Sequence, residues 1–336
     1  MTTSLVVQTS FLGDMVLTTP LIAYLAESGA TDVLCTPAAA PLLSNNPAVR
    51  DVIVYDKRGG DRGVGGFARM AARLRSREYQ SAYLAQGSTR SGALAIAAGI
   101  KDRVGFSTSA GRMFYTTRVA LRDGMHHAAR LLSLGTRDAG APLGRLRPHL
   151  YPGVAERAVV DDVLGTNSAG EQLIALAPGS VWATKRWPYF KELAHDLRDL
   201  GRIVVVGGAA DREIAGEIVG ATHGQAIDAT GRLSLLASAE LIGRSALLVT
   251  NDSSPLHLAS AMNTPTLAVF GPTVPEFGFG PLADRSITTG HTGLTCRPCD
   301  KHGPMRCPLG HWRCMREIMP EAVAALARGL LSPRDS

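Results

Sequence analysis

Short apolar runs rich in β-branched residues recur along this chain with helix-length spacers between them: 5–9 (LVVQT), 32–36 (DVLCT), 51–56 (DVIVYD) and 81–86 (SAYLAQ). After a stretch punctuated by proline and glycine, 141–153 (APLGRLRPHLYPG), the alternation restarts at 172–178 (QLIALAP), 202–208 (RIVVVGG), 245–250 (SALLVT) and 265–271 (PTLAVFG). Runs of this kind suit strands buried on both faces, which parallel sheets covered by helices provide. The chain therefore reads as α/β, with two units in tandem joined between about 150 and 170. Its 336 residues are enough for a core in each. The expected division is a first domain over 1–160 and a second over 170–318. The helix-like segment 320–331 (PEAVAALARGLL), within 319–336, could pack on either half.

In doubly wound domains ligands bind outside the carboxyl ends of the strands, so the motifs that matter should follow strands directly and face a cleft between domains. Three stretches do follow strands. The first, 8–20 (QTSFLGDMVLTTP), turns from a strand into a helix with one glycine and Asp14. A helix start stabilises a carboxylate, so Asp14 is either a helix-start acid or a functional one. The second, 178–188 (PGSVWATKRWP), offers Ser180 and Thr184 as hydrogen-bond donors and Lys185 as a mobile cation, a grip for an oxyanion or phosphate. An ordinary strand-to-helix turn with exposed basic residues would look similar. In the third, 247–273, a strand ends at Thr250. Asn251, Asp252, Ser253 and Ser254 then precede a helix from Pro255 to Met262. Capping explains part of this pattern. The rest, with His257 one turn in, fits an anion site suited to a diphosphate.

Other motifs are absent. There is no G-x-x-x-x-G-K-[ST], no G-x-S-x-G and no H-E-x-x-H, which removes P-loop phosphoryl transfer and the commonest hydrolase signals. Residues 63–68 spell G-x-G-x-x-A, but several residues beyond the nearest strand, so they read as a flexible glycine loop and a dehydrogenase is disfavoured. Cys296, Cys299, Cys307 and Cys314, with His302 and His311 nearby, could close around a structural zinc; the alternative is a packed loop of reduced thiols. Nothing catalytic depends on that metal.

The charge is uneven. Residues 1–150 hold 18 Lys and Arg against 10 Asp and Glu, a balance of +8, whereas the remainder holds 17 against 19. The basic half suits an anionic partner or is simply an arginine-rich solvated surface. Aromatic content of 5% without aromatic-basic clusters argues against nucleic acid. No apolar window is long enough to span a membrane and the start lacks a secretory signal, so the expected location is the cytoplasm.

Taken in order, GDMVLTTPL near the start, PGSVWATKRWP, TNDSSPLHLASAMNTPTLAVFGPT and the tail CRPCDKHGPMRCPLGHWRCM resemble glycosyltransferase family 9, the ADP-heptose:lipopolysaccharide heptosyltransferases, and within it the heptosyltransferase II-like branch. The resemblance runs through nearly the whole chain. It implies a GT-B fold, two facing Rossmann-like domains with parallel sheets, the first binding the acceptor and the second the nucleotide-sugar. It further implies inverting, metal-independent transfer of heptose from ADP-heptose to the inner core of lipopolysaccharide, with no cofactor. The acceptor would be an anionic, lipid-linked core oligosaccharide, with peripheral contact at the inner face of the inner membrane left open. Carried across, Thr184 and Lys185 match diphosphate-side contacts, and Asp252, Ser253 and His257 match the donor loop. Ser254 departs from the glycine usual there, which bears on donor geometry. A ribose-binding acid is expected at Asp211 or Glu213. Inverting displacement needs one base for the acceptor hydroxyl, and Asp14 is the candidate. The alternatives are a GT-B transferase or epimerase using another sugar nucleotide, and a non-catalytic glycan- or nucleotide-binding member.

Overall fold

A computed structural model describes residues 2–138, 146–165 and 171–332. Residues 141–145 of the punctuated stretch, and 166–170 within the expected junction, lie outside the described residues. The chain separates into two compact units, the first running to Tyr151 and the second starting at Pro152.

The first unit comprises β1 (Thr2–Gln8), α1 (Leu12–Ala26), β2 (Gly29–Cys35), β3 (Asp51–Val54), α2 (Gly63–Arg75), β4 (Ser81–Leu84), α3 (Thr89–Ala97), β5 (Asp102–Phe106), β6 (Thr117–Val119) and α4 (His127–Thr136). Its strands pair in parallel in the order β3-β2-β1-β4-β5-β6. Leu5, Val7, Leu34, Ile53, Ala82 and Leu84 supply the sheet side of a core closed by Met70, Leu74 and Leu94 from α2 and α3.

The second unit comprises α5 (Val154–Leu164), β7 (Leu173–Ala177), α6 (Phe190–Leu197), β8 (Arg202–Val205), α7 (Arg212–Ala221), β9 (Ile227–Asp228), α8 (Leu235–Arg244), β10 (Leu247–Asn251), α9 (Ser254–Met262), β11 (Thr266–Phe270), β12 (Ser286–Gly290), α10 (Arg313–Arg316) and α11 (Pro320–Leu331). Its sheet, β12-β11-β10-β7-β8-β9, repeats the order of the first when strands are counted from β7. In each sheet the order of strands thus switches direction between the first and fourth strands, β1 and β4 in one, β7 and β10 in the other. That crevice is where doubly wound sheets take ligands.

One sequence expectation changes and two become more definite. Residues 63–68 are not a flexible loop but the first turns of α2. Gly66, Met70, Ala71 and Leu74 are buried at helical spacing, and a Cβ on Gly66 would meet the Asp61 backbone at 2.3 Å, so close packing explains that glycine. The helix 320–331 forms as α11 and joins the second core through Val323, Ala327 and Leu330, beside α6. The division at Tyr151 and Pro152 falls within the junction expected between about 150 and 170, and it leaves residue 160 inside α5, which packs on α8 and is tied by Arg244 Nη1 to Asp161 Oδ1 at 2.5 Å.

The helix that carries Asp14 solves a local problem. Pro20 lies inside α1, so the Val16 carbonyl has no backbone donor four residues on. The Thr19 hydroxyl donates to that carbonyl at 2.8 Å and accepts from His149 N at 3.0 Å, so α1 continues without an unpaired group.

Candidate active site

In the first unit the polar groups gather where β1 ends. Ser10 Oγ donates to Asp14 Oδ2 at 2.5 Å and also lies 2.7 Å from Gln8 Oε1. The Asp14 carboxylate is 18% exposed, at the third residue of α1, so it is fixed by packing yet open to a small ligand atom. Its Oδ1 is 3.6 Å from His127 Nε2 at the start of α4. Burial pushes the His127 pKa down to about 4 despite the pull of Asp14, with Arg130 and His126 lowering it further, so the imidazole beside the carboxylate is neutral. Lys57 reaches the same turn, donating to Thr9 O at 3.0 Å and Thr9 Oγ1 at 3.1 Å; burial, Arg58 and Arg90 lower its pKa. The sequence offered no signal for Lys57, His127 or Arg130 here, because each comes from an element distant in the chain.

In the second unit the groups gather at the carboxyl ends of β7, β10 and β11. Asn251 spans the crevice: its Nδ2 donates to Pro178 O at 2.7 Å and its Oδ1 accepts from Trp187 N at 3.1 Å. Asp252 Oδ2 accepts from Lys185 Nζ at 2.5 Å and from Thr273 Oγ1 at 2.6 Å. Lys185 and Asp252 side chains are only 10% and 9% exposed. Lys185 is therefore a buried, oriented cation, not the mobile one expected from its sequence setting. The Thr184 hydroxyl donates to Pro304 O at 2.5 Å, and Ser180 Oγ accepts from Trp182 N at 3.3 Å. Ser253 is the N-cap of α9, with no capping bond from its side chain; its buried Oγ has no partner among the described residues. An unpaired buried hydroxyl costs about 1–3 kcal/mol, which a ligand atom at the helix start would relieve. Ser254 is the first helical residue, half-buried, and His257 is buried with its ring edge-on to Phe279 at 6.3 Å.

Thr273 and Arg297 were missed. Arg297 Nε donates to Gly271 O at 2.6 Å, Nη1 to His291 O at 2.7 Å, and Nη2 to Phe270 O and Thr273 O at 3.1 Å each, so one guanidinium fixes the loop that presents Thr273. The Thr273 bond to Asp252 and the four carbonyl bonds of Arg297 reveal these roles. The cysteine-rich tail is stitched to the same place: Cys299 N donates to Pro272 O at 2.8 Å and His302 stacks on Trp182. Cys296 Sγ lies 3.8 Å from His311 Nε2, but among the described residues no three ligating side chains are gathered as a metal would need. Of the two acids after β8, Asp211 faces the site edge. Its Oδ2 accepts from Gly208 N at 2.9 Å, and its carboxylate stands 2.4 Å from where a Cβ on Gly179 would be, whereas Glu213 is exposed.

A cavity of about 570 Å³, lined by Gln172, Arg198, Arg202 and Thr222 among others, opens at the amino ends of β7 and β8, the sheet edge opposite these groups. Strand-end chemistry, not cavity size, locates the site.

The model of glycosyltransferase family 9 (heptosyltransferase) matches residues 67–312. The chain belongs to glycosyltransferase family 9. It is a glycosyltransferase of that family, and its polar cluster in the second unit falls inside the matched span, while Asp14 precedes it. The family member lipopolysaccharide heptosyltransferase 2 of Escherichia coli K12 is 30% identical over 297 residues, 81% of this chain and 84% of that one. Lipopolysaccharide heptosyltransferase 1 of Pseudomonas aeruginosa is 29% identical, over 88% of this chain and 86% of that one. The solved structure of E. coli ADP-heptose lipopolysaccharide heptosyltransferase II superposes with a TM-score of 0.82 at 26% identity, covering 98% of both chains. The fold is accordingly GT-B, with a Rossmann-like sheet in each unit. No helix among the described residues is long and apolar enough to cross a membrane.

Proposed function

We propose that this glycosyltransferase moves heptose from ADP-heptose to the inner core of lipopolysaccharide by a single displacement with inversion, using its own residues in place of a metal. The second unit would hold the donor. Lys185, oriented by Asp252 and Thr273, and the start of α9 at Ser253 and Ser254 stabilise the charge that builds on the ADP leaving group. Ser180, Thr184 and His257 border that position, and Asp211, not Glu213, accepts from the ribose hydroxyls. The observation that carries this reading is the buried Lys185–Asp252–Thr273 unit beside the orphaned Ser253 hydroxyl, at the crevice where the second sheet reverses.

The first unit would hold the acceptor, a lipid-linked oligosaccharide bearing phosphate and acidic sugars, which its +8 balance over residues 1–150 suits. The acceptor oxygen attacks the anomeric carbon, its proton passes to Asp14 Oδ1 or Oδ2, and the bond from that carbon to the ADP oxygen breaks with its electron pair. Ser10 keeps Asp14 in one rotamer, and neutral His127 shields one side of it without removing its charge. Peripheral action at the inner face of the inner membrane belongs to the same proposal, because the acceptor is lipid-linked.

The test is transfer itself: purified protein, ADP-heptose and defined core acceptors, with products read by mass spectrometry and anomeric configuration by NMR. A mass increase of one heptose with inverted configuration supports the proposal. Turnover with a UDP- or GDP-sugar and none with ADP-heptose would replace it with the other sugar-nucleotide reading.

A further inference from the structure

His127 and Arg130 stand three residues apart on α4, so their side chains share a helix face. That helix packs along α1, which carries Asp14. Arg130 lies within electrostatic reach of His127, whose Nε2 is 3.6 Å from Asp14 Oδ1. The arginines elsewhere in this unit show what a satisfied guanidinium looks like. Arg50 and Arg77 share the Asp32 carboxylate, Arg103 is bonded to the carbonyls of Phe114 and Ile100, and Arg137 pairs with Asp102. Arg130 is different. Its Nε is buried without a hydrogen bond, and among the described residues no carboxylate pairs with it. A half-buried cation left unpaired is a fork held ready for a planar or tetrahedral oxyanion.

We propose that Arg130 is an acceptor-binding residue, holding an anionic group of the acceptor, a phosphate or a carboxylate, beside the hydroxyl that Asp14 deprotonates. Burial keeps His127, 3.6 Å from Asp14, neutral, so it adds no second cation beside Arg130. The inference takes its location from the reading of the first unit as the acceptor side.

Steady-state rates of Arg130→Gln and Arg130→Lys test it, measured with the intact core acceptor, a dephosphorylated acceptor and a carboxyl-esterified acceptor. Arg130→Gln should raise KM for the intact acceptor roughly 10- to 100-fold, the range of a lost charge-assisted pair, with the KM for ADP-heptose unchanged. Arg130→Lys should fall between. Removing the recognised anion from the acceptor should raise the wild-type KM by a similar factor and erase the difference between wild type and Arg130→Gln. The modified acceptor that does so identifies the group. An unchanged acceptor KM in Arg130→Gln, a loss confined to kcat, or a defect that persists on both modified acceptors would overturn the proposal. Melting curves matching wild type for either variant remove misfolding as an explanation. The role of Asp14 stands or falls separately: turnover retained in Asp14→Asn refutes the base and leaves the KM comparison for Arg130 intact.

Discussion

Breaking the Lys185–Asp252 pair from one side should be far worse than removing it altogether. Both side chains are about nine-tenths buried and their charged atoms are 2.5 Å apart. Lys185→Met leaves an unpaired carboxylate in place, eased only by the Thr273 hydroxyl. Asp252→Leu leaves an unpaired ammonium and removes the acceptor of Thr273. Stranding one buried charge costs about 3–5 kcal/mol, whereas replacing both by apolar groups of similar volume is often close to neutral. The second unit spans 152–336, a size at which 1 kcal/mol moves Tm by roughly 2–4 °C. Each single variant should therefore melt roughly 6–20 °C lower, and the double variant should recover most of that loss. The readout is selective, because the three tryptophans, Trp182, Trp187 and Trp312, all lie in the second unit, so fluorescence follows that unit alone. Urea titrations of the four proteins close a double-mutant cycle. Single-variant losses that simply add in the double variant would refute the buried pair as the organiser of the donor site.

Two further outcomes follow from the first unit. The folded-state pKa of His127 is about 4 against an ordinary 6.5, so between those values the unfolded chain binds more protons. Stability should then fall as pH drops from about 6.5 to 4, by at most roughly 1.4 kcal/mol per pH unit from this group, with Asp14, Arg130 and His126 as the ionisable groups that act on it. Comparing pH-dependent urea midpoints for wild type and His127→Phe checks this, and an identical pH slope would contradict it. Thr19→Ala strips the donor from Val16 O and the acceptor from His149 N, costing about 1–3 kcal/mol. In a Pro20→Ala background, which restores the backbone donor to Val16, the same change should cost measurably less by urea denaturation.

Strands β1, β2, β7, β8, β10 and β11 were legible because each carries a run of buried, mostly apolar residues, and β3 and β4 because DVIVYD and SAYLAQ keep short apolar runs. Strands β5, β6, β9 and β12 were not, since DRVGF, TRV, ID and SITTG lie at or near sheet edges and carry polar residues or are too short to show a pattern. The glycines at 63–66 misled for a related reason: Gly66 is required by contact with Asp61, a tertiary fact that composition reads as a loop. At the site, Asp14, Lys185 and Asp252 to His257 stood out by following strands directly. What Asp252 does with its carboxylate, and the presence of Thr273, Arg297, His127 and Arg130, depend on elements that meet only in the folded sheet. No local spacing encodes those meetings.

On this reading Asp14 takes the acceptor proton while the second unit alone holds the donor. Single-turnover transfer from ADP-heptose by Asp14→Asn, run beside calorimetric binding of ADP to the same variant, tests it most directly. Transfer should fall at least 100-fold, the scale of a lost general base, with ADP affinity within twofold of wild type. Transfer at the wild-type rate by a folded Asp14→Asn protein would contradict it.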